Sequence, residues 1–168
     1  NDVVEFGDRL LVASPQSGVE YATTQDIRDS ATTPWTTATV SGATWSANFP
    51  NALVVLNPML VLAFGDGGYV WSSSDGQDFT LLSAGTVTAN NLTEGARIDN
   101  DRALIGGASG TLIKYDRGVL SSIVVTNASG TVSDAIQTVA VPDNRENEYF
   151  VGTDAGEIIR STDGGSNW

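Results

Sequence analysis

At 168 residues and 40% hydrophobic content the chain is long enough for one domain with a buried core, and no window approaches the run of about 18 apolar residues that a membrane-spanning helix requires. A formal charge of −12 disfavours phosphate backbones and anionic membrane surfaces alike, so neither nucleic-acid binding nor membrane insertion is expected. With no cysteine and no histidine there is no thiolate or imidazole to serve as nucleophile, base or zinc ligand, and no catalytic residue, cofactor or metal is predicted.

The opening stretch NDVVEF already has strand character, without the charged and apolar regions of a secretory leader. From there one pattern recurs: an apolar strand, a short Gly/Ser/Asp turn, then a second strand. It occupies residues 10–25 (LLVASPQSGVEYATTQ), 60–75 (LVLAFGDGGYVWSSSD), 103–117 (ALIGGASGTLIKYDR) and 149–163 (YFVGTDAGEIIRSTD). Gly18, Gly68, Gly110 and Gly156 anchor the four turns at spacings of about 50, 42 and 46 residues, the range of a propeller blade. Three positions after each glycine stands a large apolar residue, Tyr21, Trp71, Ile113 or Ile159, as stacked sheets need. Innermost strands are predicted at 3–6, 52–56, 96–98 and 136–141, and outer strands at 35–40, 79–83 and 120–125. Residues 23–35 (TTQDIRDSATTPW) are polar and Pro-punctuated and read as a loop, and no segment holds helical periodicity over about ten residues. The longest apolar stretch, ALVVLNPMLVLAF, is cut by the turn signal Asn57-Pro58.

The predicted fold is therefore all-β: a β-propeller of four-stranded antiparallel blades, about four of them, at 1–47, 48–90, 91–132 and 133–168. The last is expected to be incomplete, and the whole to be part of a larger ring, because a chain ending at Trp168 leaves a blade without its outer strand.

STDGGSNW, residues 161–168, matches Ser-x-Asp-x-Gly-x-x-Trp at Ser161, Asp163, Gly165 and Trp168. SSDGQDF matches it one residue short, with Ser73, Asp75 and Phe79, and Gln77 in the place of the second glycine. The chain thereby resembles the Asp-box, or BNR-repeat, propellers, including sortilin-type, photosystem-assembly-factor-like and sialidase-like members. The resemblance implies that these residues are structural: the carboxylate accepts N–H groups of its own turn, glycine supplies a positive φ, and the aromatic seals the hairpin.

The sialidase-like chemistry needs an arginine cluster and a Tyr–Glu pair. The nearest string to its Arg-Ile-Pro signature is ARID, residues 96–99, and the arginines sit in turns beside acidic residues, as solvated charges do. DNDRA, residues 99–103, has the alternating aspartates of a calcium loop without its glycine or closing glutamate, and reads as a hairpin turn. Asn91-Leu-Thr and Asn127-Ala-Ser are glycosylation sequons. Trp35 and Trp45 lie in looser segments and are the candidates for stacking on a glycan, whereas Trp71 and Trp168 are assigned to the core.

The functional expectation is a non-catalytic propeller scaffold or binding module of a larger extracellular or virus-particle-associated (tail or adhesion) protein. Sparse lysine (Lys114 alone) and abundant Thr, Ser, Asn and Gly point to that location. A protein or glycan partner, or the remainder of a longer assembly, is implied. Two alternatives stand beside it: a glycan-active sialidase-like hydrolase with its catalytic residues outside this segment, and an assembly-factor-like protein-binding propeller.

Overall fold

Alternation along the first strand sets the plan of the molecule. In β1 (Asp2–Phe6), Val4 and Phe6 turn toward the core, while Val3 and Glu5 face solvent. β2 (Arg9–Ser14) does the same with Leu11 and Ala13, and β3 (Gly18–Thr23) with Val19 and Tyr21. This is the period of two that strand geometry imposes. The computed structural model describes residues 2–29 and 34–168. With β4 (Thr36–Thr37), β1, β2 and β3 form a four-stranded antiparallel sheet, sheet 1.

Sheet 2 consists of β6 (Pro50–Asn57), β7 (Leu60–Gly65), β8 (Tyr69–Ser73) and β9 (Asp78–Ala84). A short strand that precedes it in sequence, β5 (Thr39–Ser41), adds to its outer edge in parallel with β9. Sheet 3 consists of β10 (Leu92–Arg97), β11 (Arg102–Gly107), β12 (Leu112–Asp116) and β13 (Val119–Ile123). A small hairpin, β14 (Thr126–Asn127) and β15 (Gly130–Thr131), leads to sheet 4, which has three strands: β16 (Ile136–Ala140), β17 (Tyr149–Thr153) and β18 (Ile158–Ser161).

Successive sheets stack face to face, and their first strands lie side by side, β1 with β6, β6 with β10 and β10 with β16. Three apolar layers fill the junctions. Phe6, Leu11 and Val19 meet Leu53, Ala63, Trp71 and Phe79 between sheets 1 and 2. Leu62, Phe64 and Val70 meet Leu92, Ile105 and Ile113 between sheets 2 and 3. Leu104 and Leu112 meet Ile136, Tyr149, Val151 and Ile159 between sheets 3 and 4. Sheets 2 and 3 are thus apolar on both faces, the arrangement of propeller blades. The four anchor glycines all have positive φ, which is why the residue recurs at each turn.

Three expectations are corrected. The outer strand expected at 35–40 is two strands serving different sheets: Thr36–Thr37 pairs with β3, and Thr39–Ser41 with β9. Adjacent residues make the crossing, with Ala38 donating its N–H to Val19 O at 2.8 Å and Thr39 to Gln77 O at 2.8 Å. The third innermost strand runs Leu92–Arg97 rather than 96–98, with a bulge between Leu92 and Glu94. Within the expected loop 23–35, Thr24–Asp29 forms a helix, α1, opened by Thr23, whose Oγ1 accepts the N–H of Asp26 at 3.0 Å. Residues 30–33 of that loop lie outside the described residues. Among the described residues, no helix is long and apolar enough to cross a membrane.

Candidate functional site

The two Ser–Asp turns are built alike. In the first, Ser73 Oγ donates to Asp75 Oδ1 at 3.0 Å and accepts the N–H of Gly76 at 2.9 Å. Asp75 Oδ1 also accepts the N–H groups of Gln77 (2.9 Å) and Asp78 (3.0 Å). In the second, Ser161 Oγ donates to Asp163 Oδ1 at 2.9 Å and accepts the N–H of Gly165 at 2.9 Å. Asp163 Oδ1 accepts Ser166 N–H at 3.0 Å and Asn167 N–H at 2.9 Å, and its Oδ2 accepts Asn167 Nδ2–H at 2.5 Å. The donors favour the charged form. The Asn167 side-chain amide above all holds Asp163 down to about 2, and the Asp78 and Gln77 N–H groups hold Asp75 below the usual carboxylate range.

This geometry corrects the alignment of the shorter turn. Gly76, not Gln77, stands where Gly165 does, because each gives its N–H to the serine hydroxyl. The residue missing from the shorter turn is the counterpart of Gly164.

Both turns dock on the preceding sheet. A Cβ on Gly76 would lie 3.1 Å from side-chain carbons of Leu11 and Phe6, and one on Gly165 would lie 3.2 Å from Ile123. Phe79 is buried behind the first turn. Trp168 packs on the core beside the second, and its Nε1–H donates to Gly165 O at 3.1 Å. Oδ1 of each aspartate is thus engaged by the backbone of its own turn, and each turn sits where two sheets meet.

The two candidate glycan-stacking residues are not brought to one face. Trp35 is half-buried just before β4. Trp45 is in the core, a correction: its ring lies against Trp71 and Phe79, with centroids 4.9 and 5.9 Å away, and its Nε1–H donates to Ala38 O at 3.0 Å. Polar neighbours made its segment look loose, yet the chain there must cover the junction between sheets 1 and 2. Of the sequon asparagines, Asn91 is exposed with its Oδ1 accepting Gly67 N–H, while the Asn127 amide donates to both Glu157 oxygens.

Sequence reasoning missed a groove between sheets 3 and 4. The turn from β10 to β11 (Arg97, Asp99, Asn100, Asp101) forms one wall and the connection from β16 to β17 (Val141, Pro142, Asp143, Asn144, Glu146) the other, around a volume of about 660 Å³. Arg102 ties the walls together. Its Nε–H donates to Asp99 Oδ2 at 2.7 Å, and Nη2 pairs with both Asp99 and Glu146. The Arg102 side chain holds the Asp99 carboxyl below its ordinary range, and Asp99 in turn raises the guanidinium. Arg97 donates to Asn100 Oδ1 at 2.6 Å. Asp101 shares the exposed Arg117 at 3.7 Å, and Asp143 is exposed with no ion pair among the described residues. The DNDRA segment is thus a hairpin turn whose first aspartate is tied to its own arginine. Among the described residues, no group of three acidic side chains is placed to hold a metal ion. Arg9, Arg102, Arg117, Arg145 and Arg160 are each paired with carboxylates.

No family model and no curated protein matches the chain. Among solved structures it is similar to YCF48 bound to a D1 peptide, with 12% identity, a TM-score of 0.60, and coverage of 99% of this chain and 45% of that one. It is similar to the GH74 enzyme of Niastella koreensis (18% identity, TM-score 0.71, 97% of this chain and 27% of that one). It is also similar to the GH74 xyloglucanase of Xanthomonas campestris (19% identity, TM-score 0.62, 96% and 28%). The chain therefore spans less than half the length of each of these structures, and what the likeness establishes is the fold: blades of a β-propeller.

Proposed function

We propose that this propeller chain is a non-catalytic binding module and that the groove between sheets 3 and 4 receives a positively charged segment of a protein partner. The lining of the groove carries this reading. Asp99, Asp101, Asp143 and Glu146 line it with Arg97, and only Ile98, Val141 and Pro142 are apolar. Arg102 pairs with Asp99 and Glu146 and Arg117 with Asp101, which leaves Asp143 without an ion pair among the described residues. Small-molecule sites are predominantly apolar with a few polar groups, and this groove has the opposite balance. The net charge of −12 adds a long-range attraction for a cationic partner. The similar YCF48 structure, in which a propeller carries a bound peptide, supports a polypeptide as the ligand. We place the module at an extracellular or virus-particle surface, on the acidic, lysine-poor composition.

Fluorescence anisotropy with a labelled Lys/Arg-rich peptide and an acidic control tests the reading, at low salt and at about 300 mM, where the Debye length is well under 10 Å. The basic peptide is expected to bind, to weaken with salt, and to weaken again in Asp143→Asn and in Asp101→Asn. Equal binding of both peptides, or binding indifferent to these substitutions, overturns it. A glycan-active reading, with catalytic residues outside this segment, is favoured by the likeness to the GH74 structures. Xyloglucan in the same assay tests it, and binding there that ignores Asp143→Asn replaces the first reading.

A further inference from the structure

Sheets 1, 2 and 3 each reach the perimeter in a strand with one free side, and the three edges are handled differently. In sheet 1 the edge strand, β4, is only two threonines long. In sheet 2 the edge of β9 is covered, because β5, from the link that enters the sheet, lies along it in parallel. Short edges and covered edges both keep unpaired backbone away from other chains. The link that enters sheet 3, residues 85–91, is held elsewhere. The Asn90 amide donates to Thr111 Oγ1 at 2.8 Å, and Asn91 O accepts the N–H of Ala108 at 2.9 Å, which ties the link to the turn between β11 and β12. β13 is therefore the last strand of its sheet. Sheet 3 has a neighbour on each face, so this bare edge is a property of the blade itself.

The sequence of this edge carries none of the devices that discourage pairing. Residues 119–125, VLSSIVV, hold no charge and no proline. Val119 is 66% and Val124 62% exposed, and Ser121 and Ser122 are exposed between them. Register decides which backbone groups point outward. Arg117 and Gly118, both with positive φ, make the two-residue turn that pairs Asp116 with Val119. The N–H of Val119 therefore turns toward β12, as do the groups of Ser121 and Ile123, while those of Leu120 and Ser122 turn away. Among the described residues, no other backbone group bonds to that outward side.

We propose that the occupant of this edge is a second copy of the chain: the β13 strands of two copies pair antiparallel about a two-fold axis at Ser121, joining their third sheets into one. In that register the strand is its own complement. Leu120 lies opposite Ser122 of the second copy and exchanges both backbone hydrogen bonds with it, and the axis repeats the pair. On the face turned toward sheet 4, exposed Val119 meets Ile123 of the second copy, a β-branched cross-strand pair. Val124 comes opposite Gly118, which has open space around it. Two copies of a chain with net charge −12 repel each other, and every residue from 118 to 124 is uncharged, so this register sets no like charges face to face. The contact is isologous and closes at two copies.

Sedimentation equilibrium and light scattering of the 168-residue chain over a concentration series test this. The expected mass is twice the 17.5 kDa of one chain. The chain has no cysteine, so Ser121→Cys can form a disulfide only between chains. Its Cα would lie about 4.5 Å from that of its counterpart, within disulfide range, and mild oxidation is expected to give a covalent dimer. Ser74→Cys, exposed on sheet 2, is the control and is expected to remain single. Ser122→Pro removes an outward N–H that the ladder with β12 does not use, and Ser122→Lys sets a charge on the edge. Each is expected to weaken self-association at least tenfold, with an unchanged circular dichroism spectrum, and the lysine variant decides the matter if the proline variant does not fold. A monomer at every concentration, growth beyond two copies, cross-linking of Ser74→Cys as fast as Ser121→Cys, or a dimer that survives Ser122→Lys overturns the proposal.

Discussion

The indole of Trp45 lies across that of Trp71, with centroids 4.9 Å apart and planes at 56°, inside the junction of sheets 1 and 2. Trp45 comes from the link between those sheets and Trp71 from the middle of β8. Tilted aromatic pairs of this kind add to the area that each ring buries. Trp45→Ala removes the ring and the hydrogen bond to Ala38 O, and is expected to cost about 3–5 kcal/mol, the range for deleting a buried aromatic. Urea unfolding followed by the remaining tryptophans checks it. A loss within the roughly 0.5 kcal/mol of a surface substitution would return Trp45 to the exposed role that the sequence suggested.

Close backbone approach makes a second prediction. At the end of β7, a Cβ on Gly65 would lie 1.9 Å from the carbonyl oxygen of Phe49, and at the end of β11, one on Gly107 would lie 2.2 Å from that of Asn91. The opposing atoms are main chain and cannot swing aside. Gly65→Ala and Gly107→Ala are each expected to destabilise by about 1–3 kcal/mol, as overpacking does. Gly118→Ala is the control for a glycine with positive φ but open space around it.

The Ser–Asp turns set an acid limit. Asp163 is held at about 2, and Asp75 and Asp99 are also lowered. A lowered folded value means that the folded state keeps the carboxylate ionised where the unfolded chain would protonate it. The stability this provides is complete above the ordinary carboxylate pKa of about 4 and is lost as pH falls toward the folded value. Melting temperature against pH is expected to fall between about pH 4 and pH 2. Asp163→Asn is expected to melt below wild type at neutral pH and to converge on it at the acid end. Parallel curves throughout would remove the carboxylate from the account.

Glu94 makes the opposite prediction. Burial in β10 pushes its carboxyl up, and the charge of Asp2 adds to the rise. A raised folded value means that ionised Glu94 opposes folding: its contribution is most favourable below about pH 4 and is lost as pH rises through the folded value. Glu94→Gln is expected to raise the melting temperature at neutral pH and to leave it unchanged in acid, and the same scan reads both effects.

Much of the architecture was readable because the hairpins carry their own signals. Strands such as LVLAFG and ALIGG are apolar without interruption since both faces are covered, and the glycine between paired strands is required by its φ. What was missed was set at longer range. TVS, residues 39–41, has no pattern of its own, and only the free edge of β9 makes it a strand. LTEGAR holds a glutamate and a glycine, so only its last residues read as strand, and its ladder with β11 sets the rest. The helix Thr24–Asp29 is shorter than any window in which a helical period can be detected. The groove could not be found at all, because its walls are some forty residues apart in sequence and meet only through the packing of sheets 3 and 4. The Ser–Asp turns were legible as motifs, and their place against the preceding sheet emerged from Leu11, Phe6 and Ile123, which no local pattern ties to them.

The seam at Ala38 and Thr39 bears on how the protein is made. Thr39 pairs with Asp78, 39 residues further on, so the link out of sheet 1 has no partner until β9 has left the ribosome. At about 5–20 residues per second that wait lasts roughly 2–8 s. Throughout it, the Thr39 amide lacks the Gln77 carbonyl, and Trp45 the Trp71 and Phe79 rings, that they meet in the folded chain.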